Sequence, residues 1–366
     1  MDDAGPGRAP RSPTIDDVAR AAGVAPSTVS RAFSRPGRVS FETSERIRRV
    51  AAELGYRTTS LARALPTGPT SMIALAISDI TNPFYNEIIR GAQVAASEAG
   101  YTILLADTQE SGTRERTALD RAAATVEGIV LATTRMSDSA IRMTAKRRPV
   151  IVLNRAVRDV PCVVTDNPRA VRRAVEHLVE LGHRRITYLA GPEASWADGM
   201  RWRSLRESAL ELELQVRRIG PFPPTVPGGA RAAAEFATHP TSAVIAYNDL
   251  VAIGAIRALT SMGAAIPRDV SVIGFDNIFA AELVTPPLTT VAAPLGAMGR
   301  TAVGNLLAIV RGARPRAEAP VSLPCRLVVR ESTAQRRRYR TSPAWATTSV
   351  SGSAASTAGS TDAGSR

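Results

Sequence analysis

The chain has 366 residues, enough for about two domains, and a 44% hydrophobic content that can fill a sizeable core. Its formal net charge is +13, carried almost wholly by arginine (Lys146 is the only lysine), which favours polyanionic partners without identifying one. There is no apolar signal core, no run of the ~18 apolar residues a membrane span needs, and only Cys162 and Cys325, far apart; the expectation is a cytoplasmic protein with no membrane partner and no disulfide framework.

Residues 1–13 are rich in Gly, Pro and Arg and are expected to be disordered. From Thr14 the pattern predicts helix, turn, helix. Ile15, Val18, Ala19 and Ala22 recur at i, i+3, i+4 and i+7, so one face of the first helix is apolar. Thr14 can cap it, with Asp17 three residues on. Gly23 suits the turn, and Pro26 fits the first position of the second helix, where a missing N–H costs nothing. Val29, Ala32 and Phe33 then face inward, and Ser27, Thr28, Ser30 and Arg31 face outward. Small hydroxyls beside an arginine on a short exposed helix can bond phosphates and base edges, which predicts DNA binding. Ser40 can cap a third helix with Ile47, Val50, Ala51 and Leu54 buried and Gly55 as its C-cap.

Beyond Ser71 short apolar runs alternate with amphipathic stretches. Met72–Ile77, Tyr101–Leu105, Gly128–Leu131, Val150–Leu153, Ile186–Ala190, Ala243–Ala246 and Ser271–Phe275 read as strands. Pro83–Ala99, Arg114–Ala124, Asn167–Leu181, Met200–Leu214, Gly228–Ala237 and Leu250–Met262 read as helices between them. Alternation of this kind implies α/β architecture, parallel sheets covered on both faces, with ligands at the carboxyl ends of strands. No GxGxxG or Walker-type loop is present, His177, His183 and His239 lack metal-ligand spacing, and no catalytic constellation stands out, so neither an enzyme nor a cofactor is expected. His183 is expected at a helix end, near the negative dipole. After about Thr333 come Arg336–Arg340 and a Ser/Thr/Ala/Gly tail without leucine heptads, read as a disordered, solvated tail over 333–366.

Thr14-Ile-x-Asp-Val-Ala-x-x-Ala-Gly-Val-x-x-Ser-Thr-Val-Ser-Arg31, Val39-Ser40 and Glu53-Leu-Gly-Tyr56 resemble the lactose-repressor/galactose-repressor family. Ser60–Leu65, Asp79–Tyr85, Leu181–Ile186, Tyr247–Asp249, Ile266–Asp276 and Leu288–Val291 continue the resemblance, which spans about 14–332. The resemblance implies a three-helix helix-turn-helix domain over 14–58 and a hinge helix and linker over 59–70. A two-lobed, periplasmic-binding-protein-like core over 71–332 would follow. One lobe would be about 71–164 plus 293–321, the other about 165–291 plus 323–332, with the chain crossing three times.

On that pattern Pro26, Ser27 and Arg31 face bases, while Thr28 and Ser30 set register on phosphates; Arg31 can instead be a phosphate contact. Ala62 and Leu65 lie on the hinge helix, and Leu65 holds the position that wedges into the minor groove of a bent operator. The alternative is that Leu61 and Leu65 pack a linker. Pro66 stands where relatives place a basic residue. For the effector, Phe84 and Tyr85 form an aromatic wall, and Arg201, Asn248 and Asp276 match positions that bond hydroxyls or carboxylates. Trp196 can stack on a sugar face or be packing, and Asp276 can instead cap the next element. Asn154, Arg155 and Asp166 are further candidates, and the proline-rich loop Pro221–Pro227 borders the same cleft. The resemblance thus implies a homodimeric, nucleoid-associated repressor of carbohydrate uptake or catabolism, binding a palindromic DNA operator and a small effector, first of all a sugar. Alternatives are a purine-type co-repressor-dependent regulator and a solute-binding protein that does not bind DNA.

Overall fold

The computed structural model describes residues 13–34, 38–54, 56, 70–314, 319–336 and 344–347. The chain divides into two compact units, Met1–Gly68 and Pro69–Arg366.

The first unit holds α1 (Ile15–Ala21), α2 (Pro26–Ser34) and α3 (Phe41–Glu53). Its boundaries follow from capping chemistry. The Asp17 N–H donates to Thr14 Oγ1 at 3.4 Å, and the Thr14 N–H donates back to Asp17 Oδ2 at 2.8 Å, satisfying two donors at the start of α1. Gly23 turns the chain at φ +64°, a conformation that side chains disfavour. The Thr43 N–H donates to Ser40 Oγ at 3.3 Å and starts α3. Val18, Ala19, Ala22, Val29, Ala32, Ile47 and Ala51 form one small core, with Phe33, Val50 and Tyr56 packed on it. Leu54, expected in this core, is 41% exposed. It is the C-cap residue of α3, where the helical period no longer aims side chains inward, and Tyr56 packs near Phe33 instead. Gly55 lies outside the described residues.

The second unit is built on two six-stranded sheets. The first runs β11 (Val321–Leu323), β5 (Cys162–Thr165), β4 (Val150–Leu153), β3 (Gly128–Ala132), β1 (Met72–Ile77), β2 (Thr102–Asp107), all parallel. The second runs β12 (Arg326–Val328), β10 (Thr289–Ala292), β9 (Ser271–Asp276), β8 (Ala243–Ala246), β6 (Arg185–Leu189), β7 (Gln215–Ile219), parallel except β12. The first lobe carries α4 (Phe84–Glu98), α5 (Gly112–Ala122), α6 (Asp138–Arg147) and α12 (Leu295–Val310). The second carries α7 (Asn167–Glu180), α8 (Trp196–Glu211), α9 (Val226–Thr238), α10 (Asp249–Ser261), α11 (Ala280–Leu283) and α13 (Ala344–Thr347). The chain passes between lobes after β5, after β10 and after β11. Central strands such as β3 and β4 are buried along their whole length, which is why they read as unbroken apolar runs.

Several elements were not expected from the sequence pattern: β5, β7, β10, β11, β12, α6, α11, α12 and α13. The strand β7 (QVRRI) is a sheet edge and carries charge, while β11 and β12 are three-residue strands with little burial. The helix α8 begins four residues before its expected start. Its buried face includes Asp198, Arg201, Ser204 and Ser208, so a polar inward face hides the helical period.

The segment after Thr333 is not wholly a solvated tail. The Ala334 N–H donates to Ser271 Oγ at 3.1 Å, and the Arg336 N–H donates to Leu181 O at 2.8 Å. Trp345 is buried and stacks on Phe236 with ring centroids 6.3 Å apart. His183 sits at the end of α7 as expected, its N–H donating to Leu178 O at 2.9 Å, while its ring is 2% exposed and turned away to Ala334 O, 3.1 Å from Nε2, and Ser242 Oγ, 2.9 Å from Nδ1. His177 Nε2 lies 3.0 Å from Thr333 Oγ1.

Burial pushes both histidines below the ordinary value of 6.5, so folding favours their neutral form. The unfolded chain takes up these protons first as pH falls through about 6.5, so their contribution to stability is present above that pH and declines below it. A His177→Gln/His183→Gln chain should show less loss of thermal midpoint between pH 7 and 5 than wild type. Parallel profiles would remove the histidines from the pH response.

Candidate functional site

In the first unit, Pro26, Ser27, Ser30 and Arg31 are exposed on α2 and Thr28 is half-buried, while Val29 and Ala32 anchor the opposite face. Pro26 is the first residue of the helix, and the Thr28 N–H donates to Ala25 O at 2.8 Å. The expected division into an inward and an outward face holds for Ser27, Ser30, Arg31, Val29 and Ala32, while Thr28 and Phe33 are half-buried at its edges. Ala62 and Leu65 lie outside the described residues, as do residues 337–340 of the arginine patch.

In the second unit, turns after β1, β2, β3, β4, β6, β7, β8 and β9 converge on one cleft between the lobes, about 510 Å³ including space open to solvent. Phe84, Tyr85, Trp196, Arg201, Asn248 and Asp276 all line it, as do Asn154, Arg155 and Pro224. Asp166 does not line it; its side chain caps α7 by accepting from the Arg169 N–H at 3.2 Å. Phe84 and Tyr85 meet edge to face at 5.0 Å. They open α4 because Asn82 Oδ1 accepts from the Phe84 N–H at 3.0 Å.

Arg201 is the central cation of the second lobe. It is buried, with Nε donating to Asn167 Oδ1 at 3.2 Å and Nη1 donating to the Tyr247 carbonyl. Its Cζ lies 4.2 Å from the centroid of the Phe275 ring. Nη2 stands 3.5 Å from Asp276 Oδ1. Asp276 sits at φ +108°, a left-handed conformation that costs energy in a non-glycine residue. Burial pushes the Asp276 carboxyl up to about 7, with Arg201 pulling the other way. Asp249, wholly buried, is raised well above the carboxylate range by burial and by Asp276; it accepts from Thr290 Oγ1 at 2.5 Å and the Ile278 N–H at 2.9 Å. Asp276 thus faces Arg201 rather than capping α11.

Asn248 reaches the cleft wall, yet its side-chain amide has internal partners. Oδ1 caps α10 by accepting from the Val251 N–H at 2.9 Å, and Nδ2 donates to Pro224 O at 3.3 Å. Arg155 is likewise engaged, bonding Met136 O at 2.7 Å and Asp138 Oδ1 at 2.5 Å. The sequence reading missed Asn82, Glu110, Thr133, Thr134, Arg135, Ser195 and Tyr247 as lining residues. Thr133 and Tyr247 follow a strand end directly and Glu110, Thr134 and Arg135 lie within three residues of one, and that position was the available signal. Among the described residues, no group of His, Cys, Asp or Glu could hold a metal ion and no helix is long and apolar enough to cross a membrane.

Residues 14–59 match the model of bacterial regulatory proteins of the lacI family, and residues 175–333 match that of the periplasmic binding protein-like domain. The chain is 33% identical over 330 residues to the HTH-type transcriptional repressor CytR of Escherichia coli (strain K12), covering 87% of this chain and 96% of that protein. A solved transcriptional regulator CelR–cellobiose complex is similar at TM-score 0.66 and 31% identity, over 87% of this chain and 99% of that one. The lac repressor dimer bound to operator and the anti-inducer ONPF is similar at TM-score 0.76 and 26% identity, over 88% and 100%. A capped helix-turn-helix unit, a two-lobed α/β core and these likenesses along nearly the whole chain lead to one conclusion: the protein belongs to the lacI family of DNA-binding transcriptional regulators, not to an enzyme family.

Proposed function

We propose that this chain is a homodimeric repressor of carbohydrate uptake or catabolism genes, acting on the nucleoid in the cytoplasm and controlled by an uncharged sugar in the cleft. The observation that carries the effector half is the buried Arg201–Asp276 pair set opposite Phe84 and Tyr85. A planar cation beside a carboxylate offers donors and acceptors to neighbouring hydroxyls, and an aromatic wall suits the apolar face of a sugar ring. The solved CelR relative is complexed with cellobiose, which supports that ligand class. The DNA half rests on α2, with Pro26, Ser27 and Arg31 toward bases, Thr28 and Ser30 toward phosphates, and Ala62 and Leu65 of the hinge in the minor groove. Large exposed apolar side chains, Phe279, Leu283 and Val329, favour pairing with a second copy, and a two-fold protein requires a palindromic operator.

The deciding experiment measures anisotropy of a palindromic duplex across a salt series, followed by a thermal-shift screen of sugars and nucleobases. A ligand at 100 times its Kd stabilises by about 2.7 kcal/mol. A sugar that both shifts the midpoint and alters duplex affinity is expected. A shift by a purine base alone would replace the sugar with a purine co-repressor. Salt-insensitive binding, equal on specific and random duplexes, would remove operator recognition.

Arg31→Ala should lower specific affinity by ~1–3 kcal/mol, the worth of one bidentate base contact. Effector binding should be untouched. If specific and non-specific affinity fall together, Arg31 contacts phosphate and does not read a base.

A further inference from the structure

The C-terminal segment is fastened to the second lobe at two points. The first is polar and spans 332–336. Ser332 Oγ donates to Val272 O at 2.6 Å, the Ala334 N–H donates to Ser271 Oγ at 3.1 Å, and the Arg336 N–H donates to Leu181 O at 2.8 Å. These partners lie at the start of β9 and the end of α7, away from the strand ends that form the cleft. The second point is apolar. Trp345, on the four-residue α13, is 6% exposed. Its ring lies nearly parallel to that of Phe236, at 16° and 6.3 Å between centroids. Its Cβ is 3.9 Å from where a Cβ on Gly263 would stand. Phe236 belongs to the last turn of α9, and Gly263 follows the C-cap of α10, so Trp345 bridges the far ends of both helices. Its Nε1 has no hydrogen-bond partner among the described residues, so the side chain is held by stacking and burial.

A helix of four residues does not stand alone in water, so the form of α13 depends on this socket. Residue 345 also lies beyond 333, where the match to the periplasmic binding protein-like domain ends; the socket is filled by a segment outside that domain. Seven residues separate Arg336 from Ala344. A tether this short puts the effective concentration of Trp345 at its socket in the millimolar range, so weak affinity is enough to dock it and keeps docking reversible.

The two helices reach the cleft at their other ends. Pro224 lies two residues before α9 and Asn248 caps α10; both line the cleft, and Asn248 Nδ2 donates to Pro224 O at 3.3 Å. In between, the helices meet backbone to backbone. An added Cβ would stand 2.2 Å from Val251 O at Gly229, and 2.1 Å from Val226 O at Gly254. Contact this close leaves no room for sliding, so the pair carries a displacement over the ~15 Å of helix from Phe236 to Val226.

We infer that the C-terminal segment is an intramolecular strap: Trp345 locks α9 to α10 at the far side of the second lobe and so preorganises the cleft wall of Pro224, Tyr247 and Asn248. The strap has two states, docked and free. A docked strap spares a ligand the entropy of ordering that wall, so strap and effector strengthen each other by the same factor. The coupling to ligand rests on the reading of the cleft as the effector site; the strap itself does not.

Hydrogen exchange in the full chain, without ligand, tests it with Trp345→Ala and Trp345→Phe. In Trp345→Ala the amides of residues 234–238 and 259–264 should exchange at least threefold faster, and those of Tyr247 and Asn248 should follow. The amides of Val272 and Arg336 should not change. Trp345→Phe keeps a ring against Phe236 and should stay near wild type. Unchanged exchange around Phe236 overturns the strap. Equal acceleration everywhere, Val272 included, makes Trp345 ordinary core and overturns it too. Rates that vary with protein concentration put the ring in a second copy's socket and overturn the intramolecular form. Acceleration at the far end alone, with Tyr247 and Asn248 unmoved, overturns the coupling. The probes for binding are D-ribose, D-glucose and cellobiose. A sugar that binds wild type should bind Trp345→Ala at least threefold more weakly, and should slow exchange around Phe236 in wild type. Equal affinity overturns the preorganisation and leaves the sugar reading standing. If none of the three binds wild type, the sugar reading fails, and exchange still decides the strap and its coupling.

Discussion

Arg201→Ala should abolish the response to effector while leaving operator binding intact, and should make the Asp276 contribution to stability fall with pH beyond the point where it ends in wild type. The side chain holds Asn167, the Tyr247 carbonyl and Asp276 at once, so its removal strips the cleft of its main donor. Removing one partner of a buried pair costs ~3–5 kcal/mol when the other charge has no escape. Asp276 has one. Its carboxyl already titrates at about 7 with Arg201 in place, because burial outweighs the attraction. Without the guanidinium it retains its proton to higher pH. The sign then follows. Above the ordinary carboxylate range the unfolded chain has released this proton and the folded chain has not, so folding takes up a proton and stability declines as pH rises. In wild type that decline from Asp276 ends near pH 7; in Arg201→Ala it should continue at ~1.4 kcal/mol per unit. Urea unfolding at pH 6, 7, 8 and 9 reads the slopes. Arg201→Ala/Asp276→Asn should flatten the extra slope. If the single variant runs parallel to wild type, the Arg201–Asp276 coupling has been misjudged; if it still responds to effector, the cleft has been assigned to the wrong residues.

The parts of this molecule that were legible in the sequence are those where burial and chemistry coincide. The strands β1, β4 and β8 read at their observed limits because every residue in them is apolar and all but one are fully buried. The capping residues Thr14 and Ser40 announced their helices by side-chain chemistry alone. Where burial and polarity part company, the pattern fails. The helix α8 turns Asp198, Arg201 and Ser208 inward, Arg201 to the cleft and Asp198 to Tyr188 and Arg218, so its first turn, with Trp196, lacked a periodic signal. The helix α12 is apolar on most of its surface and shows little contrast between faces. Arg135 was invisible for a different reason: an arginine after a strand is ordinarily a solvated charge, and only its bonds to Glu110, Thr133 and Glu115 set it in the cleft wall. Resemblance supplied Arg201 and Asp276, which composition would have left as one more surface ion pair. It also supplied Asn248, where the amide turns out to be occupied in holding α10 to the loop at Pro224.

Gly299→Ala should destabilise the core and weaken effector binding together, although Gly299 does not line the cleft. It lies on α12 where that helix crosses α4, and an added Cβ would stand 2.1 Å from Ile88 O and 2.9 Å from Ala92 N. Both atoms are helix backbone, so α4 must move as a unit. The reciprocal approach, Gly91 against Gly296 O at 2.0 Å, closes the other side of the same crossing and leaves no slack to absorb the methyl group. Overpacking of this kind costs ~1–3 kcal/mol, and two rigid backbones place it toward the upper end. Phe84 and Tyr85 form the first turn of α4, immediately before Ile88, so displacement of the helix carries the aromatic wall with it. Gly304 supplies the control within the same helix. It is exposed, nothing lies within 4 Å of an added Cβ, and Gly304→Ala should stabilise the chain by up to ~1 kcal/mol through helix propensity alone. Calorimetric unfolding and titration with whichever sugar the screen identifies separate the outcomes. If both alanines raise stability, α4 and α12 do not pack as closely as this crossing requires. If Gly299→Ala lowers stability but leaves sugar affinity intact, the wall formed by Phe84 and Tyr85 is not carried by α4, and the cleft is shaped from the strand ends alone.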